Sequence, residues 1–158
     1  MCDVRYSVVH PMGTWVVIVA GWIVVHFLTV TRERQKEIRD LKSRLVERIL
    51  EIEKRSIDFH QAEIYSLENG SWIIAEIHRA SKSLSRQPLS SLGVKPEVVK
   101  KFRQSITGRN FDLSSFVPQR SASDLVRAIS ACAEDLSEDV ERAYASKYLT
   151  SWWQIFRV

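Results

Sequence analysis

Basic side chains are concentrated in one stretch of the 158-residue chain, residues 79–109. Glu97 is the only acid among them, so the stretch has a net charge of +7, whereas the whole chain has +4. Clustered cations attract phosphates and carboxylates. The sequence therefore predicts an anion-binding surface made of Arg79, Lys82, Arg86, Lys95, Lys100, Lys101, Arg103 and Arg109.

Several ligands fit this basic segment: a nucleotide, a single-stranded oligonucleotide, anionic lipid headgroups or an acidic companion protein. If the chain forms homo-oligomers, the segment is repeated around the axis, and a polyanion becomes a better ligand than one small phosphate. Two alternatives remain open. The basic residues form an ordinary solvated face, or they pair with the acidic run Glu134, Asp135, Glu138, Asp139 and Glu141.

A second group of candidate residues lies inside an apolar segment. At 100° per residue, five positions fall within about 80° of one another on a helix. They are Trp15, Val19, Trp22, His26 and Thr29. An imidazole within a membrane is costly unless it meets water or a partner, so this face suits a pore lining or an interhelical contact. An ordinary anchor with an interfacial histidine is the equally weighted alternative.

The segment that carries this face is long enough to cross a bilayer. There are 26 consecutive positions without Lys, Arg, Asp or Glu between Arg5 and Arg32. Residues 14–31 would span about 27 Å as a helix, close to the hydrocarbon thickness. A cleaved signal peptide has its basic residues before the apolar run, whereas here they follow it. We therefore predict one transmembrane helix rather than a signal peptide or a buried core helix.

The charges flanking this segment predict its orientation. Arg5 is the only Lys or Arg before the segment, whereas six basic residues follow it between Arg32 and Arg44. Segments rich in Lys and Arg remain on the cytoplasmic side. We expect a single-pass protein of the inner (plasma) membrane, with residues 1–13 as a short extracytoplasmic tail and the remainder in the cytoplasm.

Residues 32–68 contain no Gly or Pro and predict a juxtamembrane stalk helix continuous with the span. Its apolar residues recur at helical spacing: Ile38, Leu41, Leu45, Ile49, Ile52 and Phe59. Positions 38, 45, 52 and 59 form a seven-residue coiled-coil repeat, but its companion positions hold Arg48 and Arg55. These arginines favour a looser bundle or a wider oligomer over a two-stranded coiled coil.

Residues 69–158 predict a cytosolic helical domain. Asn69-Gly70 indicates a break after the stalk, with Ser71 capping a helix over 72–84 that returns antiparallel along the stalk. Residues 85–95 predict a loop. Pro96 and Gly108 bracket a short helix over 96–107.

The last helix of this domain is predicted over 125–144, where Ser121 and Asp124 resemble a capping box. The apolar tail that follows, including Trp152 and Trp153, needs a buried environment. The predicted fold class is all-α: an N-terminal transmembrane helix continuous with a long stalk helix, then a small cytosolic helical bundle.

Motifs for catalysis are not evident in the sequence. The five glycines stand far apart, so they form no phosphate-cradling loop. His60 with Glu63, and Glu76 with His78, are the close imidazole–carboxylate neighbours, and a core or solvated role is favoured over metal binding for both. Of the two cysteines, Cys132 is expected in the core. We therefore predict a protein that is not an enzyme and has no cofactor or metal.

The arrangement of span 14–31, fused helix 32–68 and basic segment 79–109 is similar to that of small membrane effectors of bacterial anti-phage defence systems. The resemblance implies spans that assemble and breach the membrane under the control of a nucleotide or nucleic acid, with a companion protein involved. Our leading hypothesis is a homo-oligomeric ion channel or pore gated by an anionic ligand. The alternative is a single-pass adaptor that recruits a partner to the membrane.

Overall fold

The computed structural model describes residues 11–149, which form helices joined by turns and loops and contain no strand. The predicted all-α class is therefore confirmed for this part of the chain. There are four α-helices: α1 (Pro11–Gln61), α2 (Leu67–Ser85), α3 (Pro96–Thr107) and α4 (Asp124–Tyr144). A short 3₁₀ helix (Leu89–Leu92) lies between α2 and α3, and a π-helical turn (Ala145–Leu149) follows α4. Predictions about residues 1–10 and about Trp152 and Trp153 lie outside the described residues.

The chain divides into two compact units, Met1–Glu37 and Ile38–Val158. In the first unit, the apolar side chains from Trp15 to Val30 are exposed on every side of α1. This part of α1 is long and apolar enough to cross a membrane, and none of the apolar window is buried within the protein. The predicted long apolar N-terminal helix is therefore confirmed.

In the second unit, the apolar stripe of the predicted stalk is part of the core. Its buried members are Ile38, Leu45, Ile49, Ile52 and Phe59. They belong to one hydrophobic cluster with residues of the other helices, such as Ile73, Phe102 and Leu136. Burial of these apolar side chains favours folding of the unit, by about 25 cal/mol for each Å² of apolar surface removed from water. The stripe is thus used within the chain and leaves no free seam for a coiled coil between copies.

The end of α1 differs from the prediction. The helix stops at Gln61 instead of residue 68, and α2 begins at Leu67 instead of Trp72. The Ser66 hydroxyl accepts a hydrogen bond from the Asn69 amide at 3.2 Å, so Ser66 is the N-cap, and the prediction of Ser71 as the cap was wrong. The predicted break at Asn69-Gly70 was also wrong, because both residues lie inside α2. The turn over residues 62–66 has neither Gly nor Pro and therefore gives no breaker signal.

The bounds of α3 agree with the prediction. Pro96 is its first residue, and the Gly108 amide donates to the Gln104 carbonyl at its end. Asp139 of α4 accepts a hydrogen bond from the Lys95 amide at 3.0 Å, which fixes the start of α3 against α4. For α4 the predicted cap, Ser121, was wrong, because the Ser123 hydroxyl accepts from the Val126 amide at 3.3 Å.

Candidate anion-binding groove

A groove lies between α2 and α3 in the second unit. One part has a volume of 230 Å³ and is lined by Ile74, Ile77, His78, Ser81, Arg103 and Thr107. An adjoining part of 280 Å³ is lined by Ser81, Leu84, Ser85, Ser90, Val94, Pro96 and Val99. Because Ser81 lines both parts, we treat them as one feature and call it the α2–α3 groove.

The residues that line the groove recur at helical spacing along α2 and α3. On α2 they follow the row Ile74, His78, Ser81 and Ser85, and on α3 the row Pro96, Val99, Arg103 and Thr107. Residues three or four apart lie on the same side of a helix. The start of α2 shares the first part with the end of α3, and the end of α2 shares the second part with the start of α3, so the two helices run antiparallel.

Positive charge predominates in this groove. Arg103 lines it, and none of the lining residues is acidic. At 100° per residue, Lys100 lies about 50° and Lys82 about 70° from the middle of the lining rows, which places both at the rim. Within the part of the chain that the structure describes, none of these three cations forms an ion pair. Their charge is therefore available to a ligand.

Polar groups add hydrogen-bonding capacity to the charge. The hydroxyls of Ser81, Ser85, Ser90 and Thr107 line the groove. Thr107 donates to the Arg103 carbonyl at 3.0 Å and Ser85 donates to the Ser81 carbonyl at 2.9 Å, so the protons of both are used within their own helices. Ile74 is 53% exposed and provides an apolar surface beside them. The arrangement can bind an anion that also presents some apolar surface.

The structure does not bring all eight predicted basic residues together. Arg79 is ion-paired with Glu76, a buried carboxylate that also lies 3.4 Å from the guanidinium of Arg48. Arg109 lines a different cleft, beside the N-terminus of α4. Lys101 lies about 150° from the middle of the groove.

The remaining two basic residues, Arg86 and Lys95, are exposed at the helix ends that border the 3₁₀ segment, with Arg86 at the C-cap of α2 and Lys95 at the N-cap of α3. Arg103 thus lines the groove, Lys100 and Lys82 lie at its rim, and Arg86 and Lys95 are sequence neighbours of the lining residues Ser85, Val94 and Pro96.

The acidic run of α4 has other partners than the basic segment. Glu141 pairs with Lys42 at 2.6 Å, and Glu138 pairs with Arg142 at 3.4 Å. Among the described residues, no side-chain cation from 79–109 pairs with this run; the contact between the two is the one from the Lys95 backbone amide to Asp139. The basic and acidic surfaces therefore remain separate within one chain.

His78 is a groove residue that sequence reasoning did not select. It stands close to Glu76 in the sequence, but the helix turns the two apart: Glu76 is buried and His78 is exposed. The signal that could have found it is its place in the row with Ile74, Ser81 and Ser85, at spacings of three and four.

The candidate residues of the span form a second, simpler arrangement in the first unit. The rings of Trp22 and His26 stack along α1, with centroids 5.3 Å apart and planes 8° apart. Thr29 donates its hydroxyl proton to the Val25 carbonyl at 2.9 Å, so that proton is already used within the helix. Trp15, Val19, Trp22, His26 and Thr29 are all exposed.

His60 is a core residue and not a ligand. It is fully buried; its Nε2 lies 3.1 Å from the Ile106 carbonyl, and its Nδ1 lies 3.4 Å from the side-chain amide of Asn110. Burial lowers the pKa of His60, which favours a neutral ring that donates from Nε2 and accepts at Nδ1. Among residues 11–149, no three His, Cys, Asp or Glu side chains are placed to hold a metal ion.

No family model, curated protein or solved structure matches this chain.

Proposed function

We propose that the chain is a membrane-anchored binding protein that recruits an anionic partner through the α2–α3 groove. Residues 14–31 anchor it in the inner (plasma) membrane with the N-terminus outside, and residues 38–149 form a small helical bundle in the cytoplasm. The observation that carries this proposal is the groove itself. Its lining includes Arg103 and no acidic residue, and among the described residues Arg103, Lys100 and Lys82 form no ion pair.

The composition of the groove narrows the kind of anion. Proteins that bind single-stranded nucleic acid stack its bases on aromatic rings. Apart from the imidazole of His78, the lining residues of the groove are aliphatic, hydroxyl-bearing or basic. Recognition would therefore act on phosphates or carboxylates through charge, with the base sequence of an oligonucleotide contributing little.

Binding of two polyanions to the full chain in lipid nanodiscs tests this proposal. The probes are a fluorescent single-stranded oligonucleotide and inorganic polyphosphate, and the readouts are anisotropy and competition. Arg103→Ala should weaken binding at least about fivefold, because a charge-assisted contact is lost. The matched control is Lys101→Ala, which removes the same unit of charge from the opposite side of α3 and should change binding much less. Equal effects of the two substitutions would contradict a localised groove site.

A second candidate function is the channel or pore predicted from the sequence. The observation that favours it is the Trp22–His26 stack, a polar and aromatic pair within a helix long and apolar enough to cross a membrane. Polar groups in a span favour a bundle interior or water over lipid. In this version a homo-oligomer places the pair around a pore that an anionic ligand opens.

Ion flux from liposomes separates the two candidates. A channel predicts flux that changes with His26→Ala or Trp22→Ala and disappears when residues 14–31 are replaced by a poly-Leu span. A binding protein with a simple anchor predicts that the same replacement leaves polyanion binding intact and that no flux occurs. The mass of the membrane-extracted chain checks the anchor, since signal sequences share its length and composition and cleavage would remove residues 14–31.

A further inference from the structure

We infer that the anionic partner of the α2–α3 groove is a second copy of this chain, which docks the acidic surface between its α1 and α4 into the groove. The inference rests on the proposed function, because it assigns the occupant of the same groove. It is carried by two surfaces of the second unit that have opposite charge and no lining residue in common.

The acidic surface is a broad depression between α1 and α4, with a volume of 570 Å³. Four carboxylates line it against one guanidinium, that of Arg142; they are Glu53, Glu134, Glu138 and Glu141. Among the described residues Glu53 and Glu134 have no ion-pair partner, and Glu138 has only the exposed Arg142 at 3.4 Å. We call this depression the α1–α4 acidic face.

Both surfaces include an exposed aliphatic side chain beside their charges. Leu50 is 51% exposed on the acidic face, and Ile74 is 53% exposed in the groove. Protein–protein interfaces commonly combine an apolar centre with a polar rim. A surface with only scattered charges would repel or attract a partner without fixing its position, whereas these two surfaces can also bury Leu50 and Ile74.

The charges on the two surfaces have matching spacing. Lys100 and Arg103 are three residues apart on α3, and Glu134 and Glu138 are four residues apart on α4. Side chains at either spacing are neighbours on a helix surface, about 5–6 Å apart at Cβ. Two ion pairs can therefore form side by side, and their attraction would set the register of the contact.

A contact of this kind joins two different surfaces, so a docked pair still presents one free groove on one copy and one free acidic face on the other. Such head-to-tail contacts produce a ring when they close and a filament when they do not. In a ring, several copies of residues 14–31 would be brought together, which is what the channel candidate requires. Soluble polyanions would compete with the acidic face for the groove and would reduce self-association.

Sedimentation of the full chain in detergent micelles tests the inference through charge reversal. The first variant, Lys100→Glu with Arg103→Glu, makes both surfaces acidic. The second, Glu134→Lys with Glu138→Lys, makes both surfaces basic. Each should lose self-association by at least about tenfold. An equimolar mixture of the two should assemble again, because each basic surface then meets an acidic one. Lys101→Glu and Asp135→Lys reverse exposed charges outside both surfaces and should assemble like the wild type.

Circular dichroism and thermal unfolding of each variant check that the helices are intact. Variants with the neutral Gln at the same four positions should also weaken self-association, but less than charge reversal does. The inference is overturned if the wild type is monomeric, if the reversed variants assemble unchanged, or if the folded variants do not assemble when mixed. Polyphosphate binding to the Glu134→Lys, Glu138→Lys variant separates the two proposals. Retained binding with a monomeric wild type would leave the groove site standing and remove only the self-association.

Discussion

The guanidinium carbon of Arg55 lies 3.9 Å from the centre of the Trp72 ring. Two turns back along α1 and one turn further along α2, Arg48 lies 3.4 Å from Glu76. These two contacts explain the arginines that interrupt the seven-residue repeat of α1. They occupy positions that would be apolar in a coiled coil. Here they contact α2 of the same chain, which runs antiparallel to α1 as the sequence predicted. Arginine suits both contacts because its planar group can stack on a ring or pair with a carboxylate.

Glu76 joins α1 to α2, so its loss should reduce stability. Glu76→Gln leaves Arg48 and Arg79 without their carboxylate. Both arginines are partly exposed and can turn to water, so we expect the free energy of unfolding to fall by about 1–2 kcal/mol rather than by the larger cost of stranding a fully buried charge. Urea unfolding measures the change.

A control for this substitution is Glu138→Gln, which removes an exposed i,i+4 partner of Arg142 and should cost at most about 0.5 kcal/mol. Equal costs at the two positions would show that Glu76 does not link the helices.

The helices could largely be predicted from the sequence where their ends carry Gly or Pro. Pro96 and Gly108 fixed the bounds of α3, whereas the turn over residues 62–66 has neither and was missed. The burial of Ile38 to Phe59 was also predictable from spacing, but the identity of the partner was not. An apolar stripe looks the same whether it packs on its own chain or on another copy.

The stability of the second unit should depend on pH through His60. Burial lowers the pKa of His60 in the folded state below the ordinary value of 6.5. As the pH falls through that value, the unfolded chain therefore binds more protons than the folded chain does. The stabilisation from the neutral ring is present above pH 6.5 and is lost at lower pH, with a slope of at most about 1.4 kcal/mol per pH unit.

Urea unfolding between about pH 5 and 7, above the range in which most carboxylates titrate, measures this slope. His60→Gln should flatten the dependence. If His60→Gln keeps the full wild-type slope of unfolding free energy against pH, other groups cause the pH dependence.

Capping of α4 distinguishes two serines that are close in sequence. Ser123 accepts the Val126 amide, and its replacement by Ala should cost about 1 kcal/mol because that amide loses its partner. Ser121, which the capping-box pattern favoured, is exposed and should tolerate Ala within about 0.5 kcal/mol. Thermal unfolding of the two variants compares them directly. A larger loss at Ser121 would contradict the observed cap.

The groove could be predicted only in part. The sequence identified a surplus of eight cations to one acid, which requires no structure. The pairing of Arg79 with Glu76, three residues before it on α2, was within reach of the sequence but lay outside the basic segment as counted. That Arg109 belongs to another cleft, and which side of α3 faces α2, depend on how the helices pack. His78 and Ser81 carry no distinctive motif and become candidates only when Arg103 lies across the groove from them.

Cysteine protection at Ser81 tests the central claim, that the α2–α3 groove holds the anion, most directly. In a full chain with Cys2→Ser and Cys132→Ala, kept from self-associating by Glu134→Lys and Glu138→Lys, the half-buried Ser81 is replaced by Cys. Its reaction with N-ethylmaleimide is followed with and without saturating polyphosphate. Ser114→Cys, exposed in the segment between α3 and α4, is the control. Bound polyphosphate should slow the reaction at position 81 by at least about tenfold and leave the reaction at position 114 unchanged. Undiminished reaction at position 81 while anisotropy shows the polyanion bound would contradict the claim.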